Sequence, residues 1–360
     1  MTDASLPTRI VLLYGGQSAE HEVSRVSAAH VLRAIDRSRY DVVPVAITPD
    51  GRWLRSDATL AALEGGPDAL PNALDTSGTD LTPLASVAPA HPGQQVVVLP
   101  ILHGPRGEDG TVQGLLELAD VAYVGCGVLG SALNMDKATA KVVAKAAGIP
   151  VARWIAARDN EVDDALIARV GAELGWPVFV KPSNMGSSVG VNRADDPAAL
   201  RAALAEATAY DEFVVIEEAI DGRELEVGVL GNESPRASVV GEIVPTHEFY
   251  DYEDKYVDGA AEMVIPAEVP AEVSEQMRTL ALAVYRALRC DGLARVDFFY
   301  DAERRGLVFN EINTMPGFTP FSMFPSLWAQ TGLPYAELID ELVRLALARH
   351  QHRAPHRRLR

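Results

Sequence analysis

Leu293-Ala-Arg-Val-Asp-Phe-Phe299 and, beyond a polar turn, Val308-Phe-Asn-Glu-Ile-Asn-Thr-Met-Pro-Gly-Phe318 are the stretch on which the reading of this fold rests. Both arms are short and rich in β-branched and aromatic residues. The connecting segment 301–306 is polar and ends in glycine, so the pair reads as a β-hairpin. Strand side chains alternate faces with a period of two. Arg295 and Asp297 therefore share one face of the first arm, and Glu311 and Asn313 project together from the second, with Ile312 turned away. If the arms pair in that register, two carboxylates, an amide oxygen and a guanidinium converge on one patch. Hard divalent cations such as Mg²⁺ take oxygen ligands, few of them from protein and the rest from water and phosphate. Asp297, Glu311 and Asn313 form that kind of set, and Arg295 beside them suits an anionic substrate or transition state. A solvated sheet face with charges paired across strands would use the same residue types. The rest of the chain has to decide between the two.

At 360 residues the chain has room for two or three domains with substantial cores. No apolar run approaches the ~20 residues of a membrane span. Segment 1–9 is polar and lacks the basic-then-apolar order of a secretory leader. Cys126 and Cys290 are the only cysteines, which leaves no disulfide framework and fits a reducing, cytoplasmic setting. The formal net charge of -18 argues against general nucleic-acid binding, which needs basic surface to displace counterions. An acidic protein can still hold phosphates through a few placed lysines and backbone amides.

The segment 10–14 is a buried strand closed by Gly15-Gly16, and a helical pattern follows through Val23, Val26, Ala29, Val31 and Leu32. Further strands are expected over 41–47 and 96–102, which makes an open α/β layer. Ligands of such layers sit beyond the carboxyl ends of the strands, so Glu20 and His103, each just after a strand, are candidates. A carboxylate favoured by a helix dipole and an ordinary loop histidine are the plainer readings. The run Gly15-Gly16-Gln17-Ser18 is not a dinucleotide fingerprint. Between 56 and 95 the composition turns rich in Ala, Pro, Gly, Asp and Thr, which predicts a mobile surface excursion with one short helix. A helix opening at Asn134-Met-Asp-Lys stops at Gly148-Ile-Pro150, and strand 151–155 enters a second domain. Strand 176–182 delivers Lys181 to a Gly- and Ser-rich loop at 183–190, whose small residues let backbone N–H groups approach phosphate oxygens. Hairpin turns carry the same residues. Strand 214–220 breaks into Asp221-Gly222-Arg223-Glu224, where a linker can meet an adenine edge and Glu224 a ribose. Sheet continues over 225–230 and 236–243. Segment 249–260 is aromatic, charged and aperiodic, the composition of a lid. Helices are expected over 270–288 and 338–348.

Taken in order, a strand lysine, a Gly/Ser loop, an acidic linker, Arg-x-Asp and Asn-Glu-Ile-Asn resemble the ATP-grasp superfamily. The closer resemblance is to the D-alanine–D-alanine ligases. It is carried by Gly15-Gly-Gln-Ser-Ala-Glu-His-Glu-Val-Ser, His103-Gly-Pro-Arg-Gly-Glu-Asp-Gly, Lys181-Pro-Ser-Asn-Met-Gly-Ser-Ser-Val-Gly, Tyr250-Asp-Tyr-Glu-Asp-Lys-Tyr and Asn310-Glu-Ile-Asn-Thr-Met-Pro-Gly-Phe-Thr. The resemblance implies an α/β protein: an N-terminal open parallel α/β layer over 1–133, then a two-domain ATP-grasp fold of α+β type over 134–228 and 229–349. A basic, disordered tail is expected over 350–360.

The same resemblance implies site roles. Lys137 and Lys181 match phosphate-binding lysines, and Gly186, Ser187 and Ser188 a phosphate-covering loop. Glu217, Glu218, Ala219 and Ile220 match the adenine linker, Glu224 the ribose contact, and Lys255 and Asn310 further ATP contacts. Asp297, Glu311 and Asn313 match the ligands of two Mg²⁺ ions, with Glu311 bridging and Mn²⁺ able to substitute. Glu20 matches the residue that meets the first D-alanine's ammonium, and Glu20, Ser187 and Tyr256 a hydrogen-bonded trio over the substrates. Arg295 and Gly317 match groups around a tetrahedral centre, His103 a substrate contact, and Ser322 and Met323 the second D-alanine's pocket. A cytoplasmic homodimer that binds ATP and two D-alanines, and neither nucleic acid nor membrane, is implied. Lys255-Tyr256 favours D-alanine over D-lactate as the second substrate. Another ATP-grasp ligase, or a nucleotide-sensing protein without catalysis, would share part of this pattern.

Overall fold

The computed structural model describes residues 6–244 and 262–357; Lys255, Tyr256 and the rest of the anticipated lid at 249–260 lie outside them. Three sheets follow one another along the chain. The first is centred on β1 (Thr8–Gly15), with β2 (Tyr40–Ile47) and β5 (Val96–Ile101) parallel on either side. Ile10, Val11, Leu12, Leu13 and Tyr14 are all fully buried, as an apolar run must be when both faces of a parallel sheet are covered. Helix α1 (His21–Ala34) covers one face through Ala28, Val31 and Leu32. Short parallel β6 (Ala122–Tyr123) extends the far edge.

The segment expected to wander over the surface is instead ordered. Just after β3 (Trp53–Arg55), which adds antiparallel to β2, it forms α2 (Asp57–Glu64), β4 (Thr79–Leu81), which pairs antiparallel with β3, and α3 (Pro83–Ser86). Leu63, Leu70 and Leu74 enter the main core, and Arg25 and Arg33 of α1 hold the Leu74 and Leu70 carbonyls. A few well-spaced leucines anchor the segment; its composition concealed them because they lie outside any regular period.

Helix α4 (Thr111–Leu118) leads to α5 (Val128–Met135) and α6 (Lys137–Ala146). The single helix expected from Asn134 is thus two, divided at Asp136, whose carboxylate accepts from Thr139 N at 2.7 Å and caps the second. The second sheet is antiparallel, in the order β7 (Trp154–Arg158), β10 (Phe213–Glu218), β8 (Val178–Pro182), β9 (Asn192–Ala194), backed by α7 (Asp164–Glu173) and α8 (Pro197–Tyr210). The strand expected from 151 begins later because Val151 bridges to Phe309 of the third sheet.

That third sheet has the order β13 (Glu262–Val264), β12 (Arg236–Val244), β11 (Arg223–Gly231), β14 (Gly292–Asp301), β15 (Gly306–Asn313), with α9 (Ala271–Ala287) behind it. β11 pairs only with β12 and β14, so a division at 228 cuts a strand, and sheet membership changes before Arg223. Helices α10 (Met323–Gln330) and α11 (Tyr335–Arg357) finish the chain. The expected tail from 350 continues α11 as far as Arg357. Among its described residues, Arg353 pairs with Asp291 at 2.7 Å, and the preceding Arg349 donates to the Gly125 and Tyr123 carbonyls. Leu338, Ile339 and Leu342 of α11 share the core of the first sheet.

Candidate active site

The third sheet supplies the acidic face. β14 and β15 pair Arg295 opposite Asn313 and Asp297 opposite Glu311, the register under which the four side chains share one patch. The Arg295 guanidinium donates to both Asp297 oxygens at 2.8 and 2.7 Å and meets Glu226 at 2.9 Å, while Asn313 Nδ2 donates to Asp297 at 2.9 Å. Burial works against the guanidinium's charge, but Asp297 and Glu226 outweigh it and hold the Arg295 pKa well above its ordinary value. Among the described residues no cluster of three His, Cys, Asp or Glu side chains closes on a point as a metal cage would. Two carboxylates and an amide on one face instead fit a hard cation that takes its other ligands from phosphate and water.

A bulge between Asp297 and Phe298 makes Asn310 the extra residue of the hairpin. Lys181, at the end of β8, donates to Asn310 Oδ1 at 3.3 Å and to Glu217 at 3.2 Å. Lys137, at the start of α6, reaches the Met185 carbonyl at 2.6 Å and stands 3.7 Å from Glu311. Glu217 is buried at the end of β10. Glu218, next to it, turns outward to Arg153 and Arg305. The linker N–H groups of Glu218 and Ala219 bind the Arg153 and Pro177 carbonyls, and Ile220 follows them. Glu224 opens β11 two residues before Glu226, on the same face.

Glu20 marks where the sheets meet. It precedes α1 beyond the end of β1 and is 8% exposed. Ser187 of the second sheet's loop donates to its Oε1. A Cβ at Gly104 or Gly186 would stand 2.7 or 2.8 Å from Glu20 Oε2, so only glycine lets both loops close on this carboxylate. Ser187 and Ser188 hold φ of 51° and 59°, a left-handed conformation that costs a side-chain-bearing residue about 1–3 kcal/mol. His103, after β5, donates from Nδ1 to the Met315 carbonyl at 2.9 Å, and its buried Nε2 has no partner among the described residues.

Ser322 precedes α10 with its hydroxyl turned back to the Thr319 N–H and hydroxyl, and Gly317 lies beside it. Met323 does not join the site's polar face. Its side chain packs against Gly241 and Leu327 in a small apolar cluster.

Three residues escaped the sequence reading. Glu226 was visible as the second acid of an alternating Glu-Leu-Glu strand, but nothing local gives its pairing with Arg295. Glu108 accepts from Gly104 N at 2.8 Å and Met315 N at 2.7 Å, tying the first sheet's loop to the third's. Burial, and then the nearby Glu20, push its pKa up to about 8. Lys141 lies one turn beyond Lys137, a spacing that puts both on one helix face.

The family described as D-ala D-ala ligase N-terminus matches residues 9–126, and D-ala D-ala ligase C-terminus matches 143–344. The chain is 52% identical over 344 residues to the D-alanine–D-alanine ligase of Deinococcus radiodurans, covering 94% of this chain and 98% of that one. It is 46% identical over 359 residues to the Geobacillus kaustophilus enzyme of the same name, covering 97% of each. Among solved structures, the D-alanine-D-alanine ligase from Coxiella burnetii superposes with a TM-score of 0.81 at 33% identity, over 97% of this chain and 98% of that one. The VanG D-Ala:D-Ser ligase from Enterococcus faecalis does so with 0.82 at 34% identity, over 95% and 100%.

Proposed function

The chain belongs to the D-alanine–D-alanine ligase family, and from that membership we propose how its residues divide the work. The reaction is the ATP-dependent joining of two D-alanines to D-alanyl-D-alanine through a D-alanyl phosphate, with release of ADP and phosphate, for peptidoglycan precursor synthesis. The observation that carries the assignment of residues is the convergence of Glu20, Ser187 and the Asp297–Glu311–Asn313 face, one from each sheet, beside Lys137 and Lys181.

ATP lies between the second and third sheets, its adenine along Glu217, Glu218, Ala219 and Ile220 and its ribose at Glu224. Lys137, Lys181 and Asn310 face the phosphates under Gly186, Ser187 and Ser188. Asp297, Glu311 and Asn313 would hold two Mg²⁺ (or Mn²⁺) ions, which when bound offset the charge of the triphosphate. Glu20 receives the ammonium of the first D-alanine, with His103 near its carboxylate. Its position under two glycines orients that substrate for phosphoryl transfer. Arg295 and the Gly317 backbone stabilise the oxyanion as the second amine attacks, and Ser322 with the Met323 backbone receives the second D-alanine. No covalent protein nucleophile is required. Lys255 and Tyr256 complete the closure that keeps water from the acylphosphate. A cytoplasmic homodimer with no nucleic-acid or membrane partner completes the reading, supported by family membership and the net charge of -18.

The test is ADP release from ATP and Mg²⁺ with D-alanine, run beside L-alanine, D-lactate plus D-alanine, D-serine plus D-alanine, and no amino acid. Release that needs D-alanine, with the dipeptide seen by mass spectrometry, is expected. Preference for D-serine or D-lactate at the second position would overturn the assignment of that pocket.

A further inference from the structure

Lys141 has no place in the division of labour above, yet it is the most deeply buried charged group near the site, at 1% exposure. It cannot itself touch a bound nucleotide. Its Nζ lies 3.2 Å from Glu217 Oε1 and donates to the backbone carbonyl of Asn310 at 3.2 Å. The other Glu217 oxygen, Oε2, accepts from Lys181 at 3.2 Å. One buried carboxylate therefore sits between two lysines, one sealed beneath it and one directed toward the site. Asn310 is gripped in the same way, its carbonyl by Lys141 and its amide oxygen by Lys181.

We infer that Lys141 is a positioning residue for nucleotide binding: it neutralises Glu217 from below and so leaves the Lys181 ammonium's charge for the polyphosphate of ATP. The charge count makes the argument. Lys141, Glu217 and Lys181 together carry one net positive charge, whereas without Lys141 the remaining pair sums to zero and Lys181 is drawn inward. Burial pushes the Glu217 carboxyl up, but Lys141 and then Lys181 outweigh it and hold it below its ordinary value, so the carboxylate demands a counter-charge. Burial likewise lowers the Lys141 pKa, with Glu217 opposing the shift. A merely space-filling role would be met as well by an apolar side chain of the same length.

The inference rests on Lys181 facing phosphate, and the experiment separates the two. ADP dissociation constants in Mg²⁺ are measured on the full chain for wild type, K141M, E217Q, K141M/E217Q and K181M, with K141Q replacing K141M should the latter not fold. K141M is expected to weaken ADP binding about tenfold, and K141M added to E217Q by less than about threefold, because no carboxylate is left to neutralise. Equal weakening in both backgrounds would make Lys141 structural and overturn the inference, as would K141M binding like wild type while K181M binds weakly. If K181M binds ADP like wild type, the phosphate role of Lys181 fails first and the inference falls with it.

Discussion

Gly186→Ala separates function from stability at the junction of the sheets. The added Cβ would stand 2.8 Å from Glu20 Oε2, where ordinary contact begins at 3.4 Å, so the carboxylate must retreat by about 0.6 Å. Gly104 also lies close to that oxygen, since a Cβ built there would stand 2.7 Å from it. Gly186 does not hold a left-handed backbone, so alanine brings no strain of its own. What is lost is the hydrogen bond from Ser187 to Glu20 and the placement of that carboxylate. A charge-assisted hydrogen bond is worth about 1.5–3 kcal/mol, which corresponds to a fall of roughly 10- to 150-fold in kcat/KM for D-alanine. The moving group is the end of a flexible side chain, so the melting temperature should stay within a few degrees of wild type and ADP affinity within about threefold. Steady-state ADP release at saturating ATP, calorimetry and thermal melting together read all three. An unchanged kcat/KM for D-alanine would refute the assignment of Glu20, and a large fall in melting temperature would mean that the loop contact is structural.

Glu311→Gln removes a charge from the half-exposed acidic face; turnover should fall by more than about 100-fold while the unfolding curve is nearly unchanged, and wild-type turnover would end the metal assignment. Arg349→Met leaves the buried Gly125 and Tyr123 carbonyls without their donor, so urea unfolding should show a loss of about 2–4 kcal/mol with no change in KM for either substrate. Glu108 has a folded pKa raised to about 8 by burial and Glu20, so the stability it contributes is complete below its ordinary value near 4.5 and is lost as pH rises through 8. Glu108→Gln does not titrate, and its stability relative to wild type should therefore improve between pH 5 and 8.5, by on the order of a few kcal/mol; parallel curves for the two proteins would rule out a protonated Glu108.

Alternation disclosed which side chains of the 293–313 hairpin share a face, since a one-residue slip would turn Asp297, Glu311 and Asn313 into the core and Val296 and Ile312 into water; the pairing of the two arms, with its bulge at Asn310, came from the structure. The fully apolar run at 10–14 likewise declared a strand covered on both faces. Irregular segments were less legible. The 56–95 segment lacks a period, so leucines that reach the core through turns could not be told from exposed ones. The basic composition after 350 suggested a loose tail, because a helix held by Arg349, Arg353 and His350 depends on carbonyls and carboxylates 62 to 230 residues away in sequence.

What the sequence determined by itself was local: which strands carry the lysine, the acids and the arginine, which turns need glycine, and which motifs occur in which order. The tertiary structure alone decided which charges neutralise one another. Lys141 reads as one more helix lysine until Glu217 and Asn310 are packed around it, and Glu226 as one more strand acid until the Arg295 guanidinium reaches it from the neighbouring strand. Charge pairing inside a protein depends on distance and burial, and neither is a property of neighbours along the chain.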